Sequence, residues 1–305
     1  MKRVLGFIAL VLITGLLFAA GAAEKKPAAA GLNIAIITTP SGVDDGSFNQ
    51  DNYNGILAFV KNHPTAKATA IREPSGDVAA ALKAAADVVA EYDVLVCTGF
   101  QFAGIGELAM ENPDTKFILV DTYPTDAKGN TVELPNVYAM TFAEQESGFF
   151  AGVAAALETK TNKVAVVNGV AYPSNVNYQY GFETGVIYAN KKLGTNVQIV
   201  ELPSRAGTDV TGANVGGNYA GSFADEATGK VIGQQLFAQG VDIIFVAAGA
   251  TGNGVFTAAK ESNGRLKVIG CDVDQWDDGT VGSGNIILTS VLKVMSLNVE
   301  RVLNQ

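Results

Sequence analysis

From Leu32 onward, short unbroken runs of Val, Ile, Leu and Ala alternate with stretches of helical periodicity. The runs read as strands at 32–38, 67–72, 93–97 and 116–120. Helices are expected between them at 48–61, 78–90 and 103–111, the last ended by Asn112-Pro113. Such repetition implies a parallel sheet with helices on both faces, and continuous apolar strands suit burial on both sides. The rhythm lapses in the turn-rich Tyr-Pro-Thr-Asp-Ala-Lys-Gly-Asn-Thr segment after Thr122 and then restarts. Further strands are expected at 137–141, 163–167, 197–202, 242–247, 267–270 and 285–289, with helices at 144–158, 175–193, 225–239, 254–262 and 292–303. A Gly/Thr/Asn loop occupies 207–217. Two α/β halves with a break near 121–145 predict a two-lobed protein whose ligand cleft lies between facing strand ends.

Residues 1–23 read as a secretory signal peptide: Lys2 and Arg3, an apolar stretch over 4–20, then Ala20-Gly-Ala22 as a small-x-small cleavage site. Residues 24–31 are a flexible spacer. The apolar stretch is near the lower limit for a membrane span, so a retained anchor is the alternative, but the small residues and the spacer favour cleavage near Ala22. With no Cys near that site to accept a lipid, the expected product is exported and soluble, in the periplasm or at the outer face of the cell membrane. Cleavage lowers Lys plus Arg from 21 to 19 against 30 Asp plus Glu, a formal charge of 19 − 30 = −11. An acidic chain of this kind repels phosphate backbones, so nucleic acid is not an expected partner. Export permits a disulfide between Cys97 and Cys271, but each ends an apolar run, which favours two buried thiols. The single His63 has no partner His or Cys nearby, and no metal site is visible.

The loop Ser41-Gly-Val-Asp-Asp-Gly-Ser-Phe-Asn-Gln50 follows the first strand and opens the first helix. It crowds Asp44, Asp45, Ser47, Asn49 and Gln50 around the aromatic Phe48. A turn has no use for a Phe in its middle, whereas a ring flanked by amides and carboxylates suits a flat, polar-edged ligand. An alternative is structural: Ser47 caps the helix and Phe48 packs on the core.

Beyond this loop stand Phe117-Ile-Leu-Val-Asp121, Glu144-Gln-Glu-Ser-Gly-Phe-Phe-Ala-Gly152, Tyr180-Gly-Phe-Glu-Thr-Gly185, Tyr219-Ala-Gly-Ser-Phe-Ala-Asp225, Ala247-Ala-Gly-Ala-Thr-Gly-Asn-Gly254, Val268-Ile-Gly-Cys-Asp-Val-Asp-Gln275 and Leu288-Thr-Ser-Val-Leu-Lys293. With Asp45-Gly-Ser-Phe-Asn-Gln50, and in this order and spacing, they resemble the basic membrane protein family of ABC-transporter substrate-binding proteins, whose best-understood members are purine nucleoside receptors. The resemblance runs from Leu32 to the last residue. It implies a type I periplasmic-binding-protein fold that closes on a nucleoside and hands it to a membrane permease, acting as a monomer without a cofactor and not as an enzyme. It also implies a first lobe made of 32–141 plus 276–305, a second of 142–275, and hinge segments near 121–141, near 274–285 and in the final helix region. Carried over by position, Phe48 and Phe223 stack on the base, Asn49 and Asp121 meet its edge, and Gly249, Asp272 and Lys293 meet the ribose.

Elementary chemistry agrees with that assignment. Two rings remove the faces of a base from water, Asp121 can accept from base N–H groups, and Asp272 can accept from two vicinal hydroxyls while Lys293 partly balances its charge. Each residue also has a plain reading: Phe223 in the core, Lys293 in solvent, Asp121 in a turn. Paired aromatics with carboxylates also grip sugars. A secreted nucleoside hydrolase using Asp44 and Asp45 is a rival from another class, although adjacent carboxylates do not make a catalytic site unless they reach a substrate atom or converge on an ion. Gly249-Ala-Thr-Gly-Asn-Gly254 has its glycines in the wrong order for a dinucleotide fingerprint, and Thr228-Gly-Lys230 lacks the flanking residues of a phosphate loop. No G-x-S-x-G or H-E-x-x-H is present.

Overall fold

In the computed structural model, which describes residues 31–305, the apolar runs build two five-stranded parallel sheets. The leader and all of the spacer except Gly31 lie outside the described residues. The first sheet contains β1 (Asn33–Thr38), β2 (Lys67–Arg72), β3 (Val94–Thr98), β4 (Lys116–Val120) and β5 (Val137–Met140), side by side in the order β2-β1-β3-β4-β5. Helices α1 (Phe48–Asn62), α2 (Val78–Val88) and α3 (Gly106–Glu111) connect them. β1 shows why its sequence is unbroken: Ile34 and Ile36 enter one buried cluster, with Ile56 and Phe59 of α1, while Ala35 and Ile37 enter another, with Ala81 and Ala85 of α2.

The second sheet repeats the design. After α4 (Glu144–Glu158) come β6 (Lys163–Asn168), α5 (Pro173–Tyr188) and β7 (Gln198–Ile199). A small hairpin, β8 (Gly207–Thr208) with β9 (Asn214–Gly216), lies within the expected Gly-rich loop. Then follow α6 (Glu226–Ala238), β10 (Ile243–Ala247), α7 (Ala250–Glu261), β11 (Lys267–Asp272), the hairpin β12 (Thr280–Val281) with β13 (Gly284–Asn285), and β14 (Ile287–Leu292). The order is β7-β6-β10-β11-β14, the same winding as in the first sheet, with β4 and β11 in equivalent places. Parallel sheets flanked by helices in two lobes agree with the fold class expected from the sequence.

The described chain passes between the sheets twice. After β5 it crosses so that α4 packs on α5 of the second lobe; after β14 it crosses back so that α8 (Met295–Leu303) packs on α1 of the first. Asp51 of α1 accepts from the backbone N–H groups of Met295 (3.1 Å) and Ser296 (3.0 Å), capping α8 from its host lobe. These crossings correct two expectations. Residues 276–292 do not return to the first lobe, because β14 pairs in parallel with β11; only the segment after Leu292 returns. Nor is 274–285 a crossing, since it turns within the second lobe. Leu292, expected to start the last helix, ends β14 opposite Asp272, and the helix begins at Met295.

Helices α4 and α5 meet through glycine. A Cβ added at Gly152 would lie 2.0 Å from the carbonyl oxygen of Phe182, and one at Gly185 2.1 Å from that of Phe149. The two backbones are in van der Waals contact, which only hydrogen side chains permit. Gly152→Ala gains about 1 kcal/mol of helix propensity but must push backbone apart, and overpacking of this kind costs about 1–3 kcal/mol or more. The variant is expected to be less stable than the parent in urea denaturation; equal or greater stability would show that the two helices can separate freely.

Candidate ligand-binding cleft

The seven residues singled out in the sequence, Phe48, Asn49, Asp121, Phe223, Gly249, Asp272 and Lys293, all line one cavity between the two lobes. It encloses about 530 Å³, counted out to its open mouth.

The loop after β1 is held in shape by Asp45. Its buried carboxylate accepts from the backbone N–H groups of Ser47, Asn49 and Gln50 and from the Asn49 side chain at 2.8 Å. Burial nevertheless pushes this carboxyl above its ordinary range. Asp45, and not Ser47, therefore satisfies the free donors at the start of α1. The Ser47 hydroxyl instead crosses the cleft and donates to Asp272 Oδ2 at 2.7 Å. Ser41 Oγ donates across to the backbone oxygen of Phe223 at 2.9 Å. Phe48 lines the cavity and also leans on the first-lobe core, so the two readings of that loop meet in one ring. Asn49 gives its two amide hydrogens to Thr39 Oγ1 and Asp45, and its oxygen accepts from the Thr98 hydroxyl. A ligand acceptor would have to displace one of those partners. Asp44 is exposed and does not converge with Asp45 on a common point.

Phe223 is half-buried and sits outside every core cluster among the described residues. Its ring packs closely against Gly169, where an added Cβ would clash with the ring carbons. Gly249 stands behind it with φ of 54°, capping α7, and Gly254 lets α7 approach the backbone of α6. Gly169 and Gly254 serve close packing, while Gly249 supplies a left-handed backbone turn.

Asp121 directly follows β4 and Asp272 ends the equivalent β11. Both adopt left-handed backbone, with φ of 67° and 70°. That conformation is uncommon for a residue with a Cβ and turns each carboxylate away from the strand direction. Asp121 Oδ2 accepts from Lys293 Nζ at 2.6 Å, while its buried Oδ1 has no partner among the described residues. Lys293 Nζ also lies 2.9 Å from Glu144 Oε1. The side chains of Lys293, Asp121 and Glu144 are only 2%, 6% and 4% exposed. Burial alone would lower the lysine; the carboxylates of Asp121, Glu144 and Asp272 outweigh it and hold the ammonium above its ordinary range. The sequence paired Lys293 with Asp272, whereas its direct partners are Asp121 and Glu144.

Several lining residues went unrecognised in the sequence. Phe100 of the first lobe and Tyr172 of the second touch across the cleft, ring centroids 5.4 Å apart, and Tyr172 lies 6.0 Å from Phe223. Gly99-Phe100 directly follows β3, and that place at the end of a central strand is the signal that could have found Phe100. Cys97 and Cys271 are buried free thiols in different sheets, as expected. No helix among the described residues is long and apolar enough to cross a membrane.

A family model described as "ABC transporter substrate-binding protein PnrA-like" matches residues 33–209 and 209–305. The chain belongs to this family. Among curated relatives it is 34% identical over 283 residues to the "CD4+ T-cell-stimulating antigen" of Listeria monocytogenes, covering 88% of this chain and 71% of that one. It is 30% identical over 282 residues to the "ABC transporter nucleoside-binding protein BmpA" of Lactococcus lactis, covering 86% and 71%. Among solved structures, an ABC-transporter solute-binding protein from Aeropyrum pernix superposes with a TM-score of 0.73 over 90% of this chain and 70% of that one, at 24% identity. A periplasmic sugar-binding protein from Legionella pneumophila superposes with a TM-score of 0.61 over 89% and 93%, at 14% identity. These superpositions establish the fold, and the family match makes the chain a transporter substrate-binding protein.

The charge of Asp272 offers a test of the cleft's electrostatics. Burial pushes its carboxyl up to about 6, against the pull of the Lys293 ammonium and the Ser47 hydroxyl. An unfolded aspartate titrates near 3.9. With the folded value raised, the stability contributed by this group is full below the unfolded value and is lost as pH rises through about 6. Asp272→Asn is therefore expected to gain stability relative to the parent between about pH 4 and pH 8, by chemical denaturation across that range. A difference that does not change with pH would mean that the carboxylate is as well solvated folded as unfolded.

Proposed function

We propose that the cleft captures a nucleoside, with a purine as base, and that the protein is exported and delivers this ligand to the membrane permease of an ABC transporter. The observation that carries the reading is the meeting, in one cavity, of Phe48 and Phe223 from opposite lobes with strand-end carboxylates from both. The rings take the faces of the base. Asp121, through its unpartnered Oδ1, accepts from N–H groups on the base edge, with Asn49 bracing the loop beside it. Asp272 accepts from the ribose hydroxyls, Lys293 donates to one of them with the hydrogen its two carboxylate partners leave free, and Gly249 lets the sugar approach the backbone. The nucleoside-binding name of the Lactococcus relative supports the same ligand class. The leader over 1–23, cleaved near Ala22, supports export. The protein works as a monomer and binds without turnover: Asp45 is committed to four hydrogen bonds of its own loop, which leaves the hydrolase reading without its base.

Titration calorimetry with a panel of ligands tests this. Inosine or guanosine is expected to bind while free pentoses and hexoses do not, and no free base should appear on prolonged incubation. Phe48→Ala and Phe223→Ala should each weaken nucleoside binding by about 1–3 kcal/mol, the range found for base–aromatic stacks. Unchanged affinity in both variants would remove the stacking arrangement, and preferential binding of a free sugar would replace the nucleoside.

The ligand should also shift the lobes toward the closed arrangement, because it touches both and binds that state better. Segments 141–143 and 293–294 are the places where the chain can bend. Small-angle scattering is expected to give a smaller radius of gyration with inosine than without it. Tight binding at a constant radius would mean a rigid, preformed cleft.

A further inference from the structure

The ammonium of Lys293 is held by a residue to which the nucleoside reading gives no role. Glu144 is the first residue of α4, immediately after the first crossing, and lies outside the cavity lining. Lys293 lies at the second crossing, between β14 and α8. The ion pair between them, 2.9 Å long and closed to water, therefore joins the two strips of chain that connect the lobes. The rings of Phe142, Phe48 and Tyr178 surround the ammonium, with centroids 5.1, 5.4 and 5.8 Å away. Apolar faces on those sides leave the carboxylates to fix its direction.

We propose that Glu144 is a positioning residue that aims Lys293 at the ligand's hydroxyl groups. This rests on the nucleoside reading above. The geometry gives the reason. A lysine has three hydrogens to donate. Asp121 takes one and Glu144 a second, which leaves the third for the cavity that Lys293 lines. Without the Glu144 carboxylate, the ammonium is drawn toward Asp121 and Asp272, the other two negative groups that act on it. It keeps its bond to Asp121 Oδ2 but swings onto Asp272, the acceptor the ribose hydroxyls need, and turns its free hydrogen away from them. Burial pushes the Glu144 carboxyl upward, which follows from a charge placed in a dry site for its partner. Glu144 thus acts through Lys293 on the hydroxyl-bearing part of the ligand and leaves the stacking of the base untouched.

The test measures affinity for inosine and for 2′,3′-dideoxyinosine, which share a base and differ only in the vicinal hydroxyls. Glu144→Gln keeps the shape and removes the charge; Glu144→Asp keeps the charge and withdraws it by one methylene. In either variant the preference for inosine over the dideoxy compound should fall by about tenfold, the worth of one charge-assisted hydrogen bond. Affinity for dideoxyinosine itself should stay near the parent value. A purely structural role would weaken both ligands equally and leave the ratio unchanged, which would overturn the proposal, as would a parental ratio in both variants. A double-mutant cycle adds a second readout. Adding Glu144→Gln to Lys293→Met should cost no further inosine affinity, because Glu144 then has nothing to aim; additive losses would also overturn it. Failure of the parent protein to bind inosine at all would be a failure of the nucleoside reading, separable from every outcome above.

Discussion

An ammonium group sealed from water must be neutralised from within, and at Lys293 that demand falls on the stretches of chain that join the lobes. An unpaired buried charge is strongly destabilising, so the lysine requires carboxylates placed as it requires them. Asp121 supplies one from the end of β4 in the first lobe. Glu144 supplies another from the start of α4, which belongs to the second. The position of the cation thus fixes where both crossings run, and the rings of Phe48, Phe142 and Tyr178 close the remaining sides. The inner wall of the cleft and the connections between the lobes are one electrostatic unit.

The equivalence of the two sheets explains where the other charges stand. Each lobe ends its fourth-wound strand, β4 or β11, in an aspartate with left-handed backbone. A side chain with a Cβ adopts this conformation at a cost of order 1–3 kcal/mol, and such residues gather where geometry serves a site. The strand ends of both sheets open toward the same cavity, so the two turned carboxylates come together in it although 151 positions separate them in sequence (272 − 121). Asp45 is a different kind of carboxylate: its four hydrogen bonds are all local, and it shapes the loop that carries Phe48 and the two serines.

Much of this was legible in the sequence because it depends on local chemistry. Strands buried on both faces must be unbroken Val, Ile and Leu, and β1, β3, β4, β6 and β10 read that way. β14 was misplaced because it is half-exposed: Leu292 points to solvent, so its apolar character suggested a helix face, and nothing local says which sheet an edge strand joins. The seven cavity residues were found through ordered motifs. The partners that set their geometry were not. Glu144 reads as an ordinary acidic residue at a helix start, favourable there for the helix dipole, and only the fold brings Lys293 to it. Phe100 and Tyr172 read as single aromatics beside glycine and proline, and their contact exists only with the lobes together.

The loop after β1 then has two tasks that depend on the same atoms. It presents Phe48 to the cavity, and it supplies Ser41 and Ser47, which donate across to the second lobe, as well as Gly46, whose carbonyl faces Gln275 Nε2 at 3.5 Å. The acceptor of Ser47 is Asp272, the carboxylate proposed for the ligand's hydroxyls. With the lobes together, Oδ2 of that aspartate is occupied by the serine, which leaves Oδ1, beside the Cys271 thiol, as the oxygen nearer to free. Apart from the serine, Asp272 has no lobe-to-lobe donor on its side chain among the described residues, and its orientation rests on the second lobe alone. A ligand that first engages Asp272 from the second lobe therefore orients the group that the first lobe must find in order to close. On the proposed function, recognition of the ligand and closure of the cleft draw on one carboxylate, and a change at Asp272 is expected to alter both.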